Sequence, residues 1–175
     1  YKRQLLNRAE AYVMKMQEDP SALDSALADM NMYASNLFSS GFTPMTEESI
    51  KKWATETYPN YSELYVGKTS ETSPQTLNPK KKLFAPPYNA LEKGGTQESM
   101  LQALLFMRRY QFLHEGMRWF DTRRFGITVY RYTLDEDDET VLQITDQISD
   151  EDGTPDPRRA LQLPSDVIAA GLTPN

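Results

Sequence analysis

The stretch His-Glu-Gly-Met-Arg-Trp-Phe-Asp-Thr-Arg-Arg-Phe-Gly, residues 114–126, gathers the chain's only histidine, two carboxylates, three arginines and three aromatic rings. Such a set could bind zinc, support a nucleophile or form an ion-paired scaffold. A zinc-protease helix needs a second histidine four residues after the first, with a glutamate between them as base. Position 118 is arginine, and no other histidine exists in the chain. Nothing supplies the local signature of a Ser-His-Asp triad. Arg118 and Asp121 stand three apart, so one helical turn can pair them. Trp119, Phe120 and Phe125 can pin that turn to a core. The spacing therefore favours packing and ion pairing over catalysis, and no catalytic residue is assigned.

A second oxygen-rich stretch, Asp150-Glu151-Asp152-Gly153-Thr154-Pro155-Asp156, begins like several calcium loops. Ile148 stands where an extended loop would want another ligand. A twelve-residue loop from Asp150 would end at Leu161 and lack the bidentate glutamate. The expectation is a solvated turn. With no cysteine, thiolate metal sites and disulfides are excluded, and neither a metal nor a cofactor is assigned.

A third set is aromatic. Trp53, Tyr58, Tyr61, Tyr65, Phe84 and Tyr88 alternate with Asn60, Asn78 and Asn89 through the middle of the chain. Sugar C–H faces stack on such rings, and planar amides orient hydroxyls. Trp53, Tyr58, Tyr61, Tyr65 and Tyr88 are the candidate ligand-binding residues, although the same rings could simply tether a long loop.

The net charge of −6 hides an asymmetry. Ten of the 25 carboxylates lie between Tyr132 and Pro157, where there is no Lys or Arg, so the other 15 face all 19 basic residues. The cationic runs, Lys80-Lys81-Lys82 and the arginines from Arg108 to Arg131, accompany no nucleic-acid motif. No apolar run approaches membrane-spanning length.

Elements that would position these groups follow from periodicity. Leu5, Ala9, Tyr12, Val13 and Met16, then Leu23, Ala26, Leu27, Met30, Ala34, Leu37 and Phe38, recur at helical spacing and predict a helical hairpin over 1–40. Ser21 with Asp24 reads as a capping box, and Gly41 as the left-handed end of the second helix. Residues 42–95 read as an irregular excursion holding one short helix over 47–57, where Ile50, Trp53 and Ala54 share a face. Thr96 caps a helix over 97–115, with Leu101, Leu104, Leu105, Phe112 and Leu113 inward. Residues 127–148 form a β-hairpin with a charged tip and apolar residues alternating on both arms. The segment 149–175 ends in a helical turn near 165–170. The 175 residues suit one mainly α domain.

The run "RRYQFLHEGMRWFDTRRFGI" resembles the C-terminal signature of the SusD/RagB nutrient-binding lipoproteins of Bacteroidota outer membranes. "GGTQESMLQALLFMRR" is similar to the helix before that signature. "LLNRAEAY" with "ALADMNMYASNLF" resembles the family's late tetratricopeptide-like hairpin, and "DPRRALQLPSDVIAAGLTPN" its terminal segment. The likeness covers 1–40, 94–127 and 156–175, and leaves 42–93 without a counterpart. Met107 and Gln111 stand where the family commonly has acidic residues, and His114 where it has Phe, which leaves the partners of Arg108 and Arg109 open.

The resemblance implies a mainly α fold with a tetratricopeptide-like hairpin, a long C-terminal helix, long irregular loops and a small β-hairpin. Arg108, Arg109, Glu115, Gly116, Arg118, Trp119, Phe120, Asp121 and Arg124 would be its structural signature. It further implies a non-enzymatic, cell-surface glycan-binding protein, lipid-anchored in the outer membrane through an N-terminal Cys outside this sequence. Captured oligosaccharides would pass to a SusC-like TonB-dependent transporter. The chain, which opens at Tyr1 inside a helix, would be the C-terminal portion of such a protein. A peptide-capturing member and a helical-repeat interaction module without a small ligand are the alternatives. A hydrolase ranks third, because no spacing selects a carboxylate pair.

Overall fold

The structure is a computed structural model. It describes residues 1–38, 40–57, 83–136 and 141–173, together with the backbone of 64–65 and 76–77. The chain is mainly helical, as expected. It forms two compact units: one from residues 1–63, 78–81 and 90–121, the other from 64–77, 82–89 and 122–175.

The first unit is built on α1 (Lys2–Lys15) and α2 (Ala22–Ser35). Lys2 donates to the Asn36 carbonyl and Arg8 to Asp29, while Lys15 pairs with Asp19 in the link, so the two helices run antiparallel. Leu5, Leu6, Ala9 and Val13 meet Ala22, Ala26, Met30 and Tyr33 in a core where each of these is essentially inaccessible. Each fully buried leucine contributes roughly 1.5–3 kcal/mol relative to an exposed one. α3 (Glu47–Lys52) follows, with a reciprocal capping box between Thr46 and Ser49, and runs into a π-helical turn, Trp53–Thr57. α4 (Thr96–Gln111) antiparallels α1: Gln97 donates to the Val13 carbonyl and Arg108 to Asn7.

Several local expectations are corrected here. Ser21 stands at the N-cap position with a helical backbone and makes no side-chain cap; its hydroxyl donates to Asp19 instead. α2 stops at Ser35, so Gly41, although left-handed, does not close it. Leu37 and Phe38 fall past that end and are exposed. Gly95 is the N-cap of α4. Thr96 is its first helical residue, and its hydroxyl is engaged by Glu47. α4 ends at Gln111, so Leu113 leaves the helical face and is 67% exposed. Glu98 lies in the first turn of α4, its carboxylate accepting from Gly94 N at 3.2 Å.

α5 (Met117–Phe125) gives residues 117–121 to the first unit and 122–125 to the second. The second unit also holds β1 (Leu64–Tyr65) and β2 (Thr76–Leu77), an antiparallel pair within the stretch expected to be irregular. β3 (Val129–Leu134) and β4 (Val141–Ile148) make the expected hairpin, in register from Val129 opposite Ile148 to Leu134 opposite Val141. Its alternation buries less than expected. Val141 is buried with Tyr130 and Ile144 against it, but Val129, Tyr132, Leu134 and Leu142 are exposed. α6 (Ser165–Ala169) matches the expected terminal turn.

Candidate functional site

The signature stretch is built around Arg108. Its guanidinium donates to Asp121 Oδ1 through Nε at 3.1 Å, with Nη2 3.0 Å from the same oxygen, and to Asn7 Oδ1 through Nη1 at 2.7 Å. The side chains of Arg108 and Asp121 are only 6% and 3% exposed. Arg108 also lies over the Phe112 ring at 5.1 Å, as does Arg3 at 5.4 Å. Arg3 pairs with Glu115 at the surface. The question left open by Met107 and Gln111 is thus answered for Arg108: its carboxylate comes from Asp121, thirteen residues on. Arg109 is exposed.

His114 is exposed and left-handed (φ 63°), and Gly116 beside it is left-handed too (φ 71°), so the chain reverses between α4 and α5. Trp119 and Arg118 are half-buried. Phe120, expected to pin the turn, is 57% exposed: at this helical position it lies one step off the Arg108-facing side that Asp121 occupies. Phe125 does serve as a core residue, in the second unit. There Tyr88 packs on it at 4.3 Å, and Arg124 donates to the Tyr88 hydroxyl at 3.4 Å while covering the Phe125 ring. Burial pushes the Tyr88 hydroxyl above its ordinary pKa and the Arg124 guanidinium below its own.

Of the five candidate ligand residues, Tyr58 and Tyr61 lie outside the described residues, and Tyr65 is described only as backbone in β1. Trp53 belongs to the first unit and Tyr88 to the second. Trp53 joins a row that the sequence reading missed. Its ring meets Phe106 edge-on at 5.2 Å, and Phe106 meets Tyr110 edge-on at 5.1 Å. Phe106 and Tyr110 are four apart on α4 and therefore neighbours on one face; that spacing was the available signal. The row begins half-buried at Trp53 and ends at Tyr110, which is 65% exposed. The π-turn carrying Trp53 is a distortion that often accompanies functional positions.

The acidic stretch of the second unit is not a solvated turn throughout, and this corrects the expectation. Asp150 is buried, its Oδ1 accepting from Arg159 Nε at 2.7 Å and from Asp156 N at 3.0 Å. Arg159 spends its other nitrogens on the carbonyls of Thr122 (3.1 Å) and Ile127 (2.8 Å). The cation that Asp150 holds is thus a guanidinium. Asp156 is held by Arg158, whose hydrogen bonds bring its pKa down to about 2. Among the described residues, no cluster of three or more His, Asp and Glu side chains is arranged to hold a metal.

No protein-family model, curated protein or solved structure matches the chain.

Proposed function

We propose that this chain is part of a cell-surface nutrient-capture protein of the SusD/RagB kind, which binds an oligosaccharide without chemical change and hands it to a TonB-dependent outer-membrane transporter. The full-length protein would be lipid-anchored at the outer membrane. The observation that carries the reading is the row Trp53–Phe106–Tyr110, with its exposed ring at Tyr110. Edge-on contacts fix each ring through its neighbour, so a sugar face meets a platform already ordered. The tetratricopeptide-like character of the α1–α2 hairpin is part of this proposal. The buried Arg108–Asp121 pair supports reading the signature as scaffold, since both groups are already neutralised by each other.

Calorimetric titration with cello-, malto-, xylo- and manno-oligosaccharides tests the reading. The expected result is binding by at least one series that Tyr110→Ala weakens about tenfold, the loss of about 1.4 kcal/mol of stacking, without altering the melting temperature. Binding of peptides and no glycan would move the protein to the peptide-capturing alternative.

One observation favours an interaction module instead. Phe38 and Phe42 stack at 6.0 Å beside the exposed Leu37, an apolar surface of the kind that partner proteins cover. Pull-down of the tagged chain from outer membranes separates the two, because the capture reading requires a large β-barrel partner.

A further inference from the structure

We infer that the second unit carries its own binding pocket for a single neutral sugar ring, formed by residues 84–86 and the 150–160 loop. The inference stands on this unit alone and goes beyond the capture reading. A cavity of about 320 Å³ is present there, within the range of small-ligand pockets. Phe84, Pro86, Pro155 and Pro157 give it apolar, conformationally stiff walls. Two polar groups in its lining are not used up by the fold. Asp150 spends Oδ1 on Arg159 and the Asp156 amide, whereas Oδ2 takes no hydrogen bond among the described residues, although the side chain is only 9% exposed. Solvent reaches that oxygen, so a ligand hydroxyl can donate to it. Arg123, exposed at the rim, is engaged by no carboxylate among the described residues.

The charges narrow the ligand. Arg159 already neutralises Asp150 and Arg158 pairs with Asp156, which removes the drive to bind an ammonium group, and the lining sets Asp150 and Asp156 against Arg123 and Arg159, so no net charge draws an anion either. One acceptor and one donor beside apolar walls suit adjacent hydroxyls, each of which both donates and accepts, on a ring with C–H faces. The site is also held in shape before any ligand arrives. Gly126 (φ 65°) approaches so closely that a Cβ there would stand 2.6 Å from Ala85 N and 3.2 Å from Asp150 Oδ2.

The test is amide chemical-shift titration of the 175-residue chain with methyl β-glucopyranoside, methyl β-galactopyranoside and methyl α-mannopyranoside. Saturable shifts are expected at Phe84, Gly153 and Ala160 for at least one of them, with a dissociation constant on the order of millimolar. Ala160→Trp, which fills the cavity from an exposed lining position, should abolish them. Arg123→Ala should weaken binding about fivefold, and Tyr110→Ala should leave it unchanged. Absence of saturable shifts with all three glycosides overturns the inference, as does wild-type affinity in Ala160→Trp. If that variant loses the native spectrum, Arg123→Ala decides: unchanged affinity overturns the pocket. Oligosaccharide binding that fails while these shifts persist would sink the aromatic row and leave the pocket standing.

Discussion

Arg108 and Asp121 form a buried ion pair, with Nη2 and Oδ1 3.0 Å apart and both side chains almost wholly removed from solvent. Either charge without the other would be buried and uncompensated, at a large desolvation cost. The pair therefore ties α5 to α4, and Asn7 extends the tie to α1.

Breaking that pair from one side should be costly. Asp121→Ala leaves Arg108 charged and buried, and is expected to lower unfolding free energy by about 3–5 kcal/mol in urea denaturation. Arg108→Leu combined with Asp121→Leu should lose much less, since no lone charge remains. A double variant as unstable as the single one would show that shape, rather than charge compensation, sets the cost.

The reversal between α4 and α5 places a side chain where glycine is better suited. His114 is left-handed at φ 63° and exposed, so it carries backbone strain without visible packing in return. His114→Gly should raise the melting temperature, corresponding to about 1 kcal/mol. His114→Val should lower it by a similar or larger amount, because a β-branched residue tolerates this conformation worst.

Gly126 is required for a different reason, close approach. With Ala85 N donating to the Phe125 carbonyl at 3.1 Å, no Cβ fits at position 126. Gly126→Ala should destabilise the protein by about 1–3 kcal/mol through strain and the displaced contact. Thermal denaturation gives the measurement, and Gly153→Ala is the control: it is also left-handed, but a Cβ there meets nothing within 4 Å.

The Asp156 carboxylate should titrate at about 2, below its ordinary 3.8, chiefly because Arg158 hydrogen-bonds the ionised form. A lowered folded pKa stabilises the folded state at pH values above the ordinary pKa, and the contribution is lost as pH falls through the folded value. Asp146, also bonded by Arg158, shifts the same way. Arg158→Ala should therefore move the Asp156 titration, followed by carboxyl carbon shifts, upward toward 3.8, and flatten the fall in stability between about pH 4 and pH 2. An unmoved titration would mean that the backbone amides alone hold it down.

Helix existence and facing were legible in the sequence because each rests on a local repeat. Leu5, Ala9 and Val13, like Leu101, Leu104 and Leu105, lie on one helical face in any context, and all are buried. Caps were less legible. Ser21 could cap α2 or bond Asp19, and Thr96 could cap α4 or meet Glu47; the choice depends on partners that the local pattern does not include. Leu37 and Leu113 show the same limit at helix ends, where an endpoint a few residues earlier than expected turns an apolar side chain outward.

The sequence by itself determined the mainly helical class and the helical and β hairpins. Only the tertiary structure decided that Arg108 takes Asp121, that Arg159 takes Asp150, and that Trp53, Phe106 and Tyr110 form one row. The physical reason is range. Amphipathic periodicity acts over a few residues, whereas buried charges and aromatic edges find partners by proximity in the folded chain, across separations that no local pattern encodes.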